Sequence, residues 1–169
     1  MHTVFDDDDL IQVREVAQKF AQHRLADGYM VREKSGYFDM DLLREMGSLG
    51  LIAPELNEDF GGIGAKFLLS GVIIEEIAKA DFNFAYAPLL GSLNGQILQN
   101  FARPEIAKDW LCKVTAGEEL VAIALTEPRG GSDAANLGLR MERDGNHFVI
   151  NGEKDRKSTR LNSSHSSVS

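Results

Sequence analysis

Apolar residues recur at helical spacing through the first two thirds of the chain and at every second position afterwards, so the pattern predicts helices followed by strands. Leu10, Val13, Ala17, Phe20 and Ala21 define a helix from Asp6 to about Leu25. Four aspartates open it, and their charge suits the positive end of the helix dipole and the capping of exposed amides. A shorter helix begins after Asp39 with Leu42, Leu43, Met46 and Leu49, ends at Gly47 and Gly50, and should pack on the first. Gly50 to Gly64, with Pro54 and its glycines, reads as a loop wrapping the domain. Ala65 to Ala80 is apolar nearly all round at its start, which predicts a helix buried between neighbours. Two more helices follow, one through Leu89, Leu90, Leu93, Ile97, Leu98 and Phe101, the other from Pro104 through Ile106, Ala107, Trp110, Leu111 and Val114. Pro104 suits a first helical turn and Gly117 a stop.

At Gly117 the period changes, which places a domain boundary between Ala116 and Leu120. Val121, Ile123 and Leu125 alternate with Ala122 and Ala124, so a strand is expected with its larger residues on one face. Pro128, Gly130 and Gly131 then turn the chain. Leu137, Leu139 and Met141 alternate again, Asp144-Gly145-Asn146 turns into His147 to Ile150, and Asn151-Gly152 supplies one more hairpin turn. The fold class expected is α+β: an all-α helical domain over 1–117 and the first antiparallel strands of a second domain over 118–154.

Composition narrows the function. The net charge of −8 argues against a general nucleic-acid binder, which neutralises phosphates with clustered Lys and Arg. Cys112 is the single cysteine, so neither an intramolecular disulfide nor a cysteine metal cluster is available, and a reducing, cytoplasmic setting fits best. MHTVFDDDD carries no signal-peptide pattern and no apolar run approaches a bilayer span. Glu75 and Glu76 point about 100° apart on a helix and suit a solvated edge better than a facing acid/base pair. Trp110 and Cys112 are read as packing residues. His147 is read as a surface strand position, and no metal site is expected.

Candidate chemistry lies in Thr126-Glu127-Pro128-Arg129-Gly130-Gly131-Ser132-Asp133. Consecutive amides in such a turn form an anion-binding nest, and the hydroxyls of Thr126 and Ser132 add donors. By itself a Gly-Gly-Ser-Asp turn is more often a surface loop, and Asp133 would repel a phosphate unless turned away. Gly61-Gly62-Ile63-Gly64 is no dinucleotide fingerprint, because no βα unit surrounds it. The run Leu125 to Asp133, together with Asn151-Gly152-Glu153-Lys154, closely resembles the acyl-CoA dehydrogenase family, as does Phe60 to Gly64, whose glycines are expected to serve tight turns and close packing. Gly130 stands where the family usually has alanine.

The resemblance implies a helical domain followed by the start of a truncated β-barrel-like middle domain, and an FAD-dependent α,β-dehydrogenation of an acyl-CoA thioester to an enoyl-CoA. It implies that Ile123, Leu125 and Thr126 contact the flavin ring. Gly131 and Ser132 would meet the FAD pyrophosphate, with Ser132 also touching the CoA moiety. No catalytic residue is assigned, since the family's base glutamate is expected beyond this chain; Glu127 is expected to stabilise its loop. The implied partners are an acyl-CoA substrate, an electron-transfer flavoprotein and further copies in a homotetramer. An acyl-CoA oxidase-like flavoenzyme and a non-catalytic helical interaction module are the alternatives. In the last segment, 155–169, six of the residues from Ser158 onward are serine, which predicts disorder. Asp155 to His165 also resembles a translated sequencing adapter, so the tail is expected to be artefactual, the gene truncated and the chain alone inactive.

Overall fold

The structure, a computed structural model, describes residues 7–154. Asp6, the first of the four aspartates expected to cap the first helix, and the tail beyond Lys154 lie outside the described residues. The chain divides into two compact units between Ala122 and Ile123.

The first unit holds six α-helices: α1 (Asp7–Phe20), α2 (Tyr29–Ser35), α3 (Met40–Ser48), α4 (Phe67–Ala80), α5 (Tyr86–Phe101) and α6 (Pro104–Thr115). α1 packs along α4, and α5 packs against both α4 and α6. Leu25, Leu43, Met46, Leu51, Leu56, Leu69, Ile73, Ile77, Phe84 and Leu111 are its largest fully buried side chains. Local chemistry sets several ends. The Asp39 carboxylate caps α3 by accepting from the amides of Asp41 and Leu42. Pro104 starts α6.

Several expectations are corrected by packing. α2 and the 3-10 turn leading into it, Ala26–Gly28, fill a stretch where periodicity indicates no helix, and the last part of the expected first helix, Ala21–Leu25, is a π turn. α2 buries none of its own residues, so it carries no apolar stripe to read. The loop after α3 does not merely wrap the domain: residues 51–56 are all buried. α5 turns its small side inward. Gly91 and Gly95 lie so close to this loop that a Cβ would come within 2.9 Å of Ile52 and Leu56 respectively, while Leu89, Leu93, Ile97 and Phe101 stay exposed. Glu76 is not on a solvated edge; it is 4% exposed and bonded to Arg14 and Lys79, each through Glu76 Oε1. Glu75 is exposed as expected. Trp110 and Cys112 also lie at the surface rather than in the core, Trp110 with the Lys113 ammonium 5.5 Å from its ring centroid.

The buried loop requires its own satisfaction. Pro54 and Leu56 carbonyls accept from the amides of Ile63, Ala65 and Gly64, and the Glu55 carboxylate accepts from the hydroxyls of Ser70 on α4 and Ser92 on α5. Gly62 has no room for a side chain, since a Cβ would fall 1.9 Å from the Leu56 carbonyl oxygen. The glycine-rich Phe60 to Gly64 segment therefore serves packing.

Among the described residues the second unit contains one hairpin, β1 (Arg140–Asp144) and β2 (His147–Asn151), with Arg140 opposite Asn151 and Asp144 opposite His147. Gly145, first of the two turn residues, has φ +60°, while Asn146 keeps a negative φ, as a type II′ turn requires. Every residue of both strands is exposed, His147 included. Residues 121–125 do not form the expected strand. Val121 is packed against the helical core and its carbonyl accepts from Asn94, whereas Ile123 and Leu125 are exposed in the other unit. A strand is a paired object, and these residues find no ladder partner among the described residues.

Candidate flavin-binding turn

Pro128 and the glycines make the chain reverse at once. The amide of Gly130 donates to the Glu127 carbonyl at 2.9 Å and the amide of Glu127 donates back to Gly130 at 3.2 Å. Gly130 adopts φ +147°, a conformation that residues with a Cβ rarely take. These two bonds consume amides that the sequence pattern offered to an anion. The amides of Gly131 and Ser132 and the hydroxyls of Thr126 and Ser132 are left without a partner among the described residues. Thr126 and Gly131 are brought together: a Cβ on Gly131 would sit 3.1 Å from Thr126 Oγ1. Thr126 and Ser132 are exposed, as are Ile123 and Leu125. Asp133 does not carry an unengaged carboxylate into this turn, because its Oδ2 accepts from Asn136 at 2.6 Å.

One residue of the turn is buried. Glu127 is 6% exposed, and its carboxylate accepts from the amides of Gly138 (2.6 Å) and Leu139 (3.0 Å) and from Lys154 Nζ (2.8 Å). Lys154 also donates to the Leu125 carbonyl at 3.0 Å. The lysine, together with the two backbone donors, lowers the Glu127 pKa to about 2. A carboxylate so stabilised is a poor proton acceptor, and its lone pairs are already engaged. Loop stabilisation, the role expected for Glu127, is what its contacts provide. Its partners were not legible in the sequence: Glu127 and Lys154 both stand in the motifs singled out, yet no spacing rule joins residues 27 apart.

Residues 7–118 match the family model described as acyl-CoA dehydrogenase, N-terminal domain. This chain belongs to the acyl-CoA dehydrogenase family. It is 31% identical over 147 residues to the mitochondrial isobutyryl-CoA dehydrogenase of Dictyostelium discoideum, across 87% of this chain and 35% of that protein. Among solved structures, an acyl-CoA dehydrogenase from Geobacillus kaustophilus superposes with a TM-score of 0.76 at 29% identity, over 90% of this chain and 40% of that one. A glutaryl-CoA dehydrogenase from Mycobacterium smegmatis, solved with FADH2, shares the fold with a TM-score of 0.80 at 24% identity, over 88% and 38%. The α+β class thus holds, with a helical domain first as in those acyl-CoA dehydrogenases. The chain spans about a third of the length of the curated relatives it matches. Among the described residues, no helix is long and apolar enough to cross a membrane.

Proposed function

We propose that this chain supplies part of the flavin site of an FAD-dependent acyl-CoA dehydrogenase, and that the complete enzyme converts an acyl-CoA thioester to an enoyl-CoA. The observation that carries the reading is the turn after Leu125, which presents two exposed hydroxyls and the amides of Gly131 and Ser132 with no partner among the described residues. Such donors suit a pyrophosphate. Holding of FADH2 by a protein of the same fold is in keeping with this. When bound, FAD would supply the hydride acceptor. In this reading Thr126, Ile123 and Leu125 face the flavin ring, Gly131 and Ser132 meet the pyrophosphate, and Ser132 also touches the CoA moiety. The residues over 1–117 form the helical domain and those over 118–154 begin the middle β domain. The proton acceptor is none of the residues assigned here: Glu127, with its pKa lowered to about 2 and three donors on its carboxylate, is too weak a base.

Electron-transfer flavoprotein as acceptor, a homotetramer and a reducing, cytoplasmic setting belong to the same proposal. Family membership supports the first two, and the free, exposed thiol of Cys112 suits the last. The test is to express the 169-residue chain and a form extended at its source locus to the relatives' length. The extended form should carry stoichiometric FAD that an acyl-CoA bleaches, while the 169-residue chain should do neither. Bleaching by the shorter chain would overturn the division of labour, and an extended protein without flavin would overturn the function.

A further inference from the structure

We propose that Lys154 is a positioning residue for the cofactor turn, acting through Glu127 to hold Thr126, Gly131 and Ser132 in their binding arrangement. The inference rests on the flavin reading above. Three segments distant in sequence meet on one carboxylate: Glu127 itself, Gly138 and Leu139 at the entry to β1, and Lys154 beyond the exit of β2. The lysine reaches further, to the Leu125 carbonyl immediately before Thr126, so it fixes both sides of that residue. Its side chain is 20% exposed against 7% for that of Glu127, which removes the pair from most solvent screening.

The turn needs such a support. Its own backbone contributes only the two reciprocal bonds between Glu127 and Gly130. The neighbouring hairpin has two strands exposed throughout, and an isolated two-stranded hairpin is marginal in water. The ammonium also has an electrostatic task. Without it, a buried carboxylate would stand next to Thr126 and repel the diphosphate meant to lie against the same turn. With it, the turn offers a neutral base and outward donors. The depressed pKa of Glu127 agrees with this, since the lysine is its largest cause.

The test uses the 169-residue chain labelled with 15N, its Lys154→Met and Lys154→Arg variants, and FAD as the probe. Dispersion of the amide signals of 140–151 first shows whether the hairpin is retained. In the unaltered chain FAD should shift the Gly131 and Ser132 amides weakly, at high concentration. Lys154→Met should weaken that response about 10-fold or more, with Lys154→Arg recovering most of it because the charge and a donor return. Lys154→Met should also move the acid titration of the Gly138 and Leu139 amides to higher pH, a change that a merely steric filler would not produce. Equal FAD response in the unaltered chain and a folded Lys154→Met variant would overturn the positioning role and leave the flavin reading standing. If Lys154→Met loses the hairpin, Lys154→Gln, which drops the charge and keeps a donor, takes its place: a folded Lys154→Gln variant with a weakened FAD response that Lys154→Arg restores supports the role, and one with an unchanged response overturns it. Absence of any FAD response in the unaltered chain would overturn this inference, while the flavin reading stands or falls on the extended form.

Discussion

Replacing Arg32 by Met removes the only cationic partner of Asp81 among the described residues and should take a large share of the stability of the helical unit. Arg32 donates through Nε to Asp81 Oδ2 at 3.0 Å, and a terminal nitrogen, 2.9 Å from the same oxygen in the ion pair, donates to the Leu25 carbonyl. Asp81 is 2% exposed, and its other oxygen accepts from the Phe84 amide at 2.9 Å. Methionine keeps the apolar stem and leaves a buried carboxylate with one backbone donor. Breaking such a pair from one side costs about 3–5 kcal/mol, against a domain stability of about 5–15 kcal/mol. Asp81→Asn retains the acceptor for Phe84 and loses a charge-assisted bond, about 1.5–3 kcal/mol. Because both single changes remove the same interaction, the double variant should cost less than their sum by about 1–3 kcal/mol. Urea unfolding followed by far-ultraviolet circular dichroism measures all four free energies. Single effects that add to within about 0.5 kcal/mol would show that Arg32 and Asp81 contribute no coupling.

Other outcomes follow from the same geometry. Glu127 has a folded pKa below its ordinary 4.5, so the stability it contributes is present above that value and should be lost as pH falls through about 2; the Gly138 and Leu139 amide shifts, followed against pH, should report a midpoint near 2. Leu43→Ala, at a site with no solvent exposure, should destabilise by about 2–5 kcal/mol in urea unfolding. Gly62→Ala forces a Cβ against the Leu56 carbonyl oxygen and should cost about 1–3 kcal/mol or more, read by thermal unfolding. Gly131→Ala crowds Thr126 Oγ1 and should weaken the FAD response of the Thr126 and Ser132 amides without altering the helical unit's melting.

The sequence by itself determined the elements whose causes are local. Period 3.6 located α1, α3, α4, α5 and α6; Asp39, Pro104 and the Gly145-Asn146 turn set ends and reversals through bonds within a few residues. It also located the turn that carries the candidate chemistry. Tertiary structure decided what depends on partners. It buried Glu76 by supplying Arg14 from another helix, and it made α5 pack by Gly91 and Gly95 rather than by Leu89 and Leu93, because the buried side chains of Ile52 and Leu56 occupy the space beside those glycines. It withheld a strand from 121–125, whose alternation is real but which has no ladder to join among the described residues. It converted Glu127 from a loop residue into a junction by bringing Gly138, Leu139 and Lys154 to one carboxylate. Periodicity records which residues prefer to leave water, while hydrogen bonds and ion pairs across long separations depend on where the folded chain returns, and no local pattern encodes that return.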